Sequence, residues 1–198
     1  MTNMKCLILL CIPLITFNSF ADEFSDAQDA YINGDYITAI RLYEKLVKQG
    51  NPKAQNELGY MYKKGDGTPQ DYKEAIKWFT KSAEQGDAYA QYNLGFMYDN
   101  GKGIPQDYRE AIKWYTKSAD QGHVNAQFNL GNMYGLDILV RKEGVLQNHV
   151  KAHMFWNIAA ASGHQKAKKY RDKIEGMMTP NQIRKAQQLA RERMEKYN

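Results

Sequence analysis

Two consecutive stretches of 36 residues in this chain are near copies of each other. Pro52–Asp87 reads PKAQNELGYMYKKGDGTPQDYKEAIKWFTKSAEQGD, and Ala88–His123 reads AYAQYNLGFMYDNGKGIPQDYREAIKWYTKSADQGH. Aligned without a gap, 23 of the 36 positions are identical. A unit of this length cannot bury its apolar face alone. Stacked on its neighbours, it shares a continuous core, so the period predicts a solenoid of helical hairpins.

Each unit reads as two helices. In 52–64, Ala54, Leu58, Met61 and Tyr62 recur at helical spacing, and in 71–85 Ala75, Trp78, Phe79 and Ala83 do the same. Asn51 suits a helix cap and Pro52 the first helical position. Gly59 lies inside the first helix, where glycine costs about 1 kcal/mol relative to alanine. Its recurrence as Gly95 and Gly131 predicts the close approach of a neighbouring helix. Gly65 and Gly67 predict a turn with positive φ between the two helices.

The pattern runs beyond the two central units. A fourth hairpin begins in step with Ala126, Leu130, Gly131, Met133 and Tyr134, takes an insertion in 135–145, and resumes at 148–162 with Ala152, Phe155, Trp156 and Ala160. The inserted apolar residues could form a partner-binding loop or fold back on the hairpin. Upstream, Phe24–Gly50 is a degenerate hairpin whose second helix keeps the register through Ala39, Leu42 and Tyr43. Downstream, Thr179 to Gln182 is a capping box opening a last, basic helix. That helix reads as a solvated end cap or as a contact for an anionic surface. The predicted division is a leader at 1–21, a degenerate hairpin at 22–51, repeats at 52–87, 88–123 and 124–164, and a capping hairpin at 165–198.

The leader stands apart. Lys5 precedes a 12-residue apolar run, Cys6–Phe17, too short to span a bilayer as an ordinary helix, and Ser19 and Ala21 put small residues at a cleavage site. The reading is a secretory signal with Asp22 as the mature N-terminus, the other possibility being an uncleaved anchor. Both cysteines, Cys6 and Cys11, lie within it, so the exported chain needs no disulfide and has no thiol chemistry. The expected location is the periplasm or beyond it, without stable membrane insertion once the leader is cleaved. The net charge of +5 is carried by bases interleaved with acids, which argues against a nucleic-acid partner.

The units resemble the Sel-one-like repeat family, a relative of the tetratricopeptide repeat. The resemblance rests on AQxxLGxMYxxGxGxPQDYxEAIKWxTKSAxQG in 54–86 and 90–122, with AQFNLGNMY in 126–134 and KAHMFWNIAAASGH in 151–164. It implies an all-α fold, a right-handed superhelical solenoid of about five hairpins, whose first (A) helices line a concave face. It also implies a scaffold that binds a protein or peptide. A secreted factor engaging a host protein is the alternative within binding. A cysteine-rich branch of the family is linked to penicillin binding and β-lactam hydrolysis, so a β-lactam-binding or cell-wall hydrolase is the alternative from another class. This chain lacks those cysteines and the Ser-x-x-Lys, Gly-x-Ser-x-Gly and His-Glu-x-x-His motifs, so no catalytic residue and no cofactor is expected.

Repeated letters specify the stack. Partner contacts are expected where neighbouring A helices differ: Tyr60, Phe96 and Asn132; Tyr89; Tyr92 and Phe128; Asn93 and Asn129. These form either an aromatic and amide ladder facing a peptide or packing between adjacent A helices. On the first reading, Asn93→Ala with Asn129→Ala lowers affinity and leaves the melting temperature nearly unchanged. His149 and His153 lie one turn apart, a zinc-compatible spacing, but His164 is 11 residues on. A surface helix bearing two histidines, without metal, is expected. The oligomeric state is not legible at this level.

Overall fold

The structure, a computed structural model, describes residues 19–135 and 148–197. Residues 1–18 of the leader and most of the insertion lie outside the described residues. The helices are α1 (Ser19–Ile32), α2 (Tyr36–Lys48), α3 (Pro52–Lys64), α4 (Tyr72–Glu84) and α5 (Ala88–Asn100). They continue as α6 (Tyr108–Ala119), α7 (Val124–Gly135), α8 (His149–Ala161), α9 (Gln165–Glu175) and α10 (Pro180–Met194), closed by a 3-10 turn at Glu195–Tyr197. From α1 to α9, each helix packs against the next in chain order. The last helix, α10, lies mainly against α8, and Arg193 near its end pairs with Asp120 after α6.

Local chemistry sets the helix ends. Asn51 and Asp87 cap the A helices α3 and α5, accepting the N–H of Ala54 at 3.1 Å and Ala90 at 2.7 Å. Asp71 caps α4 by accepting from Lys73 and Glu74, and Asp107 repeats this at α6. Gly65 and Gly67 turn the chain at φ 83° and 74°. An L side chain at Gly67 would be strained there and would also meet Tyr36 Cβ at 2.6 Å.

The mid-helix glycines have the predicted cause. A Cβ on Gly59 would lie 2.8 Å from the Phe79 ring, on Gly95 2.7 Å from the Tyr115 ring, and on Gly131 2.3 Å from the Trp156 ring. Each glycine thus admits the large aromatic of its own second helix. Around these rings Leu58, Leu94, Leu130, Met61, Met97 and Met133 are all buried, and successive clusters share partly buried rings such as Phe96 and Tyr98. Each such leucine or methionine contributes about 1.5–3 kcal/mol by leaving water.

Polar ties recur with the same register. Ser82 Oγ donates to the Pro52 carbonyl at 2.7 Å and Ser118 Oγ to the Ala88 carbonyl at 2.6 Å, joining the two helices of a unit. Gln91 Nε2 donates to the Ala83 carbonyl at 3.2 Å and Gln127 Nε2 to that of Ala119 at 3.4 Å, joining each unit to the one before. These explain why serine and glutamine are among the repeated letters, since a buried carbonyl left unpaired is costly.

Two expectations need correction. Trp78 is only half-buried, its ring covered by Lys81 Nζ at 4.6 Å and Lys77 Nζ at 5.3 Å. Its place on α4 falls at the edge of the inward stripe, where two lysine stems cover it. His153 is not a surface residue: it is fully buried, and its Nε2 is hydrogen-bonded to Glu175 Oε1 at 2.7 Å. Helix α9 supplies that partner and covers the face of α8 that carries His153.

Candidate functional site

The A helices present positions of equal register along one side of the stack, and two grooves open between them. The first, of about 810 Å³, lies between the start of α3 and the start of α5, with Phe24 and Gln28 of α1 at its edge. Lys53, Asn56, Glu57, Asp87 and Tyr89 line it. The second, of about 570 Å³, is lined by Tyr92, Asn125, Phe128, Asn129, His164 and Lys166. Lys53, Tyr89 and Asn125 share one repeat position, and so do Asn56, Tyr92 and Phe128. These two variable positions are thus among those that line the grooves.

A chain of side-chain hydrogen bonds runs beneath the first groove. Lys63 Nζ donates to Asn93 Oδ1 at 3.1 Å, Asn93 Nδ2 to Asn56 Oδ1 at 3.0 Å, and Asn56 Nδ2 to Glu57 Oε1 at 3.1 Å. Two amides with aligned dipoles thus link a cation to an anion across α3 and α5. Burial pushes the Lys63 ammonium down to about 8, with Lys64 and Lys102 adding to the shift. Burial raises the Glu57 carboxyl above its ordinary value. Tyr60 lies 4.5 Å under Lys63 Nζ and Phe96 5.6 Å away, so both rings serve this cation.

The eight expected contact residues therefore divide. Tyr89 is 64% exposed and lines the first groove. Tyr92, Phe128 and Asn129 are half-buried and line the second. Asn93 is buried at 8% exposure with both ends of its amide engaged, so it holds α3 to α5 rather than facing a groove freely. Asn132 accepts the indole N–H of Trp156 at 3.1 Å, which ties α7 to α8. Tyr60 and Phe96 pack around Lys63.

Sequence reasoning missed the histidine joints. His123 Nδ1 accepts the N–H of Ala126 at 3.3 Å, and His164 Nδ1 that of Ala167 at 3.1 Å, so both are helix caps. The His123 ring also stacks on Tyr92 at 4.7 Å and meets Tyr89 edge-on at 4.9 Å, while that of His164 stacks on Phe128 at 4.2 Å. The signal was present. The cap changes from Asn51 and Asp87 to His123 and His164 as the groove residue changes from Asn56 to Tyr92 and Phe128.

Such a cap needs an unprotonated Nδ1. Burial lowers the His123 imidazole below its ordinary value, against an opposing pull from Asp87. The neutral form is favoured in the native state, so His123 stabilises fully above about pH 6.5 and less as pH falls through its lowered value. Asparagine keeps a cap acceptor without titrating there. His123→Asn should melt about 2–4 °C less far below its neutral-pH value than the parent does when both are taken to pH 5. Parallel curves in thermal circular dichroism would contradict the cap.

A profile of the Sel1 repeat matches residues 28–51, 52–87, 88–123 and 124–164. The chain belongs to the Sel1 repeat family. The all-α repeat fold of this Sel1 chain is shared by solved proteins. A Sel1 repeat protein from Oxalobacter formigenes is similar at 36% identity and a TM-score of 0.66, over 74% of this chain and 56% of that one. The protein c5321, a protective antigen of uropathogenic Escherichia coli with an SLR fold, is similar at 29% identity and a TM-score of 0.50, over 81% of this chain and 41% of that one. The Sel1 chain described here thus spans about half the length of these relatives. MamA, at 21% identity and a TM-score of 0.50 over 86% of this chain and 93% of its own, shares the fold. No curated protein matches significantly. Sel1 repeats are generally non-catalytic scaffolds for protein interaction. Among the described residues, no three His, Cys, Asp or Glu side chains group to hold a metal, and no helix is long and apolar enough to cross a membrane.

Proposed function

We propose that this Sel1 chain is an exported, non-catalytic scaffold that holds an extended segment of a protein partner along the grooved side of its A helices. The observation that carries the reading is the coincidence of sequence variation with groove lining. Lys53, Tyr89 and Asn125 differ from unit to unit, are exposed, and face the grooves, while the core residues Ala54, Leu58 and Met61 and their counterparts repeat. Tyr89 supplies rigid aromatic contact area, and the exposed amide of Asn125 offers pairing to a peptide backbone, while that of Asn129 is engaged by Tyr92 and Tyr115. The lining gives contact surface and amides rather than a nucleophile set against a base, so catalysis is not part of the proposal. Export rests on the leader: a lysine, a short apolar run, a Ser-x-Ala cleavage site and no cysteine after it.

Tyr89→Ser with Asn125→Ala removes groove contacts from two exposed positions. Affinity capture from an envelope extract should retain a protein on the tagged parent and at least about tenfold less on the variant, a loss of about 1.4 kcal/mol. The melting temperature should stay unchanged. Equal capture would show that the partner binds elsewhere. Cell fractionation with N-terminal sequencing of the mature chain tests export, with Asp22 expected as the first residue.

A further inference from the structure

The charge of this chain is segregated along the stack. Residues 22–35 hold Asp22, Glu23, Asp26, Asp29 and Asp35 and no Lys or Arg. Residues 165–196 hold ten bases against four acids, while 36–164 lie close to balance, with sixteen bases and thirteen acids. The acidic segment is the first helix and the basic one the last two, so opposite charges stand at opposite ends.

The same two ends carry most of the exposed large apolar side chains. Ile32 at the end of α1 is 77% exposed and Ile37 at the start of α2 71%. Met177, just past α9, is 64% exposed and Tyr170 on α9 37%. On α1, Asp26, Asp29 and Ile32 fall on one face. On α9, Lys169, Tyr170 and Lys173 do likewise, and Met177 follows two residues past its end. Asp26, Asp29, Lys169 and Lys173 are exposed and form no ion pair among the described residues. Because α10 lies mainly on α8, the outer flank of α9 stays open, as does the outer flank of α1. In a solenoid these are the seams on which another unit would stack.

We propose that the chain associates head to tail, the acidic α1 end of one copy seating on the basic α9 face of a second. Asp26 and Asp29 meet Lys169 and Lys173, and Ile32 and Ile37 cover Tyr170 and Met177. The two patches differ, so the contact is heterologous and leaves a free end on each copy. The product is a run of stacked chains that lengthens with concentration. The contact leaves Lys53, Tyr89 and Asn125 free; Tyr170 alone adjoins the second groove, its ring stacked on Phe128 at 5.8 Å.

Sedimentation velocity on the purified protein tests it, from micromolar to sub-millimolar concentration. At about 25 mM salt the mean mass should rise with concentration, and at roughly 0.5 M salt, where screening shortens the reach of charge to a few ångströms, it should return to that of one chain. Asp26→Lys with Asp29→Lys should abolish association, and so should Lys169→Glu with Lys173→Glu. The first variant carries lysines at both contact patches and the second carboxylates at both, so each can pair only with the other. An equimolar mixture should therefore associate again, at least about tenfold more strongly than either alone. Recovery in the mixture also shows that both variants are folded. A single-chain mass at low salt throughout, association unaffected by the substitutions, or a mixture that stays monomeric would each overturn the proposal. So would binding of α9 to an anionic polymer by a protein that remains monomeric.

Discussion

Replacing Gly95 by valine should lower the free energy of unfolding by about 3 kcal/mol. At an open helical site, exchanging glycine for a residue with a side chain would favour the helix by several tenths to about 1 kcal/mol. Here the first added carbon already lies 2.7 Å from Tyr115 Cδ1 and within 3.1 Å of two more ring atoms. The ring cannot retreat: Tyr115 is fully buried, and its hydroxyl donates to Asp99 Oδ2 at 3.2 Å. Overpacking therefore outweighs propensity, and valine adds two further carbons to the clash. Urea unfolding followed by far-UV circular dichroism reads the cost. Adding Tyr115→Ala should recover about 1 kcal/mol relative to the sum of the single changes, since the two sites share one volume. A midpoint at or above the parent's would show that the ring does not set the glycine.

Asn93→Ala should cost about 2 kcal/mol, reversing the expectation drawn from sequence that it is silent for stability. Truncation leaves Asn56 Oδ1 without its donor and Lys63 without its acceptor, in a place where both are largely shielded from water. Removing one partner of a buried polar pair leaves the other with its full desolvation cost. Asn125→Ala, at an exposed groove position, is the comparison and should stay within about 0.5 kcal/mol of the parent. Equal midpoints for the two variants would show that Asn93 is free after all.

These cases mark where the chain could be read by eye and where it could not. Gly59, Gly95 and Gly131 announce a close approach because a repeated cost within a helix needs a repeated reason. The caps at Asn51 and Thr179 are legible because their partners lie three residues away. The role of Asn93 is not legible, because its partners Asn56 and Lys63 lie on another helix and only the stacking angle brings them together. His153 misleads in the same way: its burial depends on α9 laying Glu175 over it. The groove positions were found through variation between units. Variation alone could not separate Tyr89, which points into solvent, from Asn132, which is spent on Trp156. The histidine joints fall between these cases, visible as a paired change of letters but not interpretable until His123 is seen lying on Tyr92.

The ties that bind the two central joints of the stack are the same: a glutamine at the start of α5 or α7 reaches back to a carbonyl near the end of the preceding helix. A unit carrying both halves of that tie would fit between any two others. The length of such a protein is thus a free variable for gene duplication, because a copied 36-residue segment brings its own joinery and adds one more strip of groove without redesigning its neighbours.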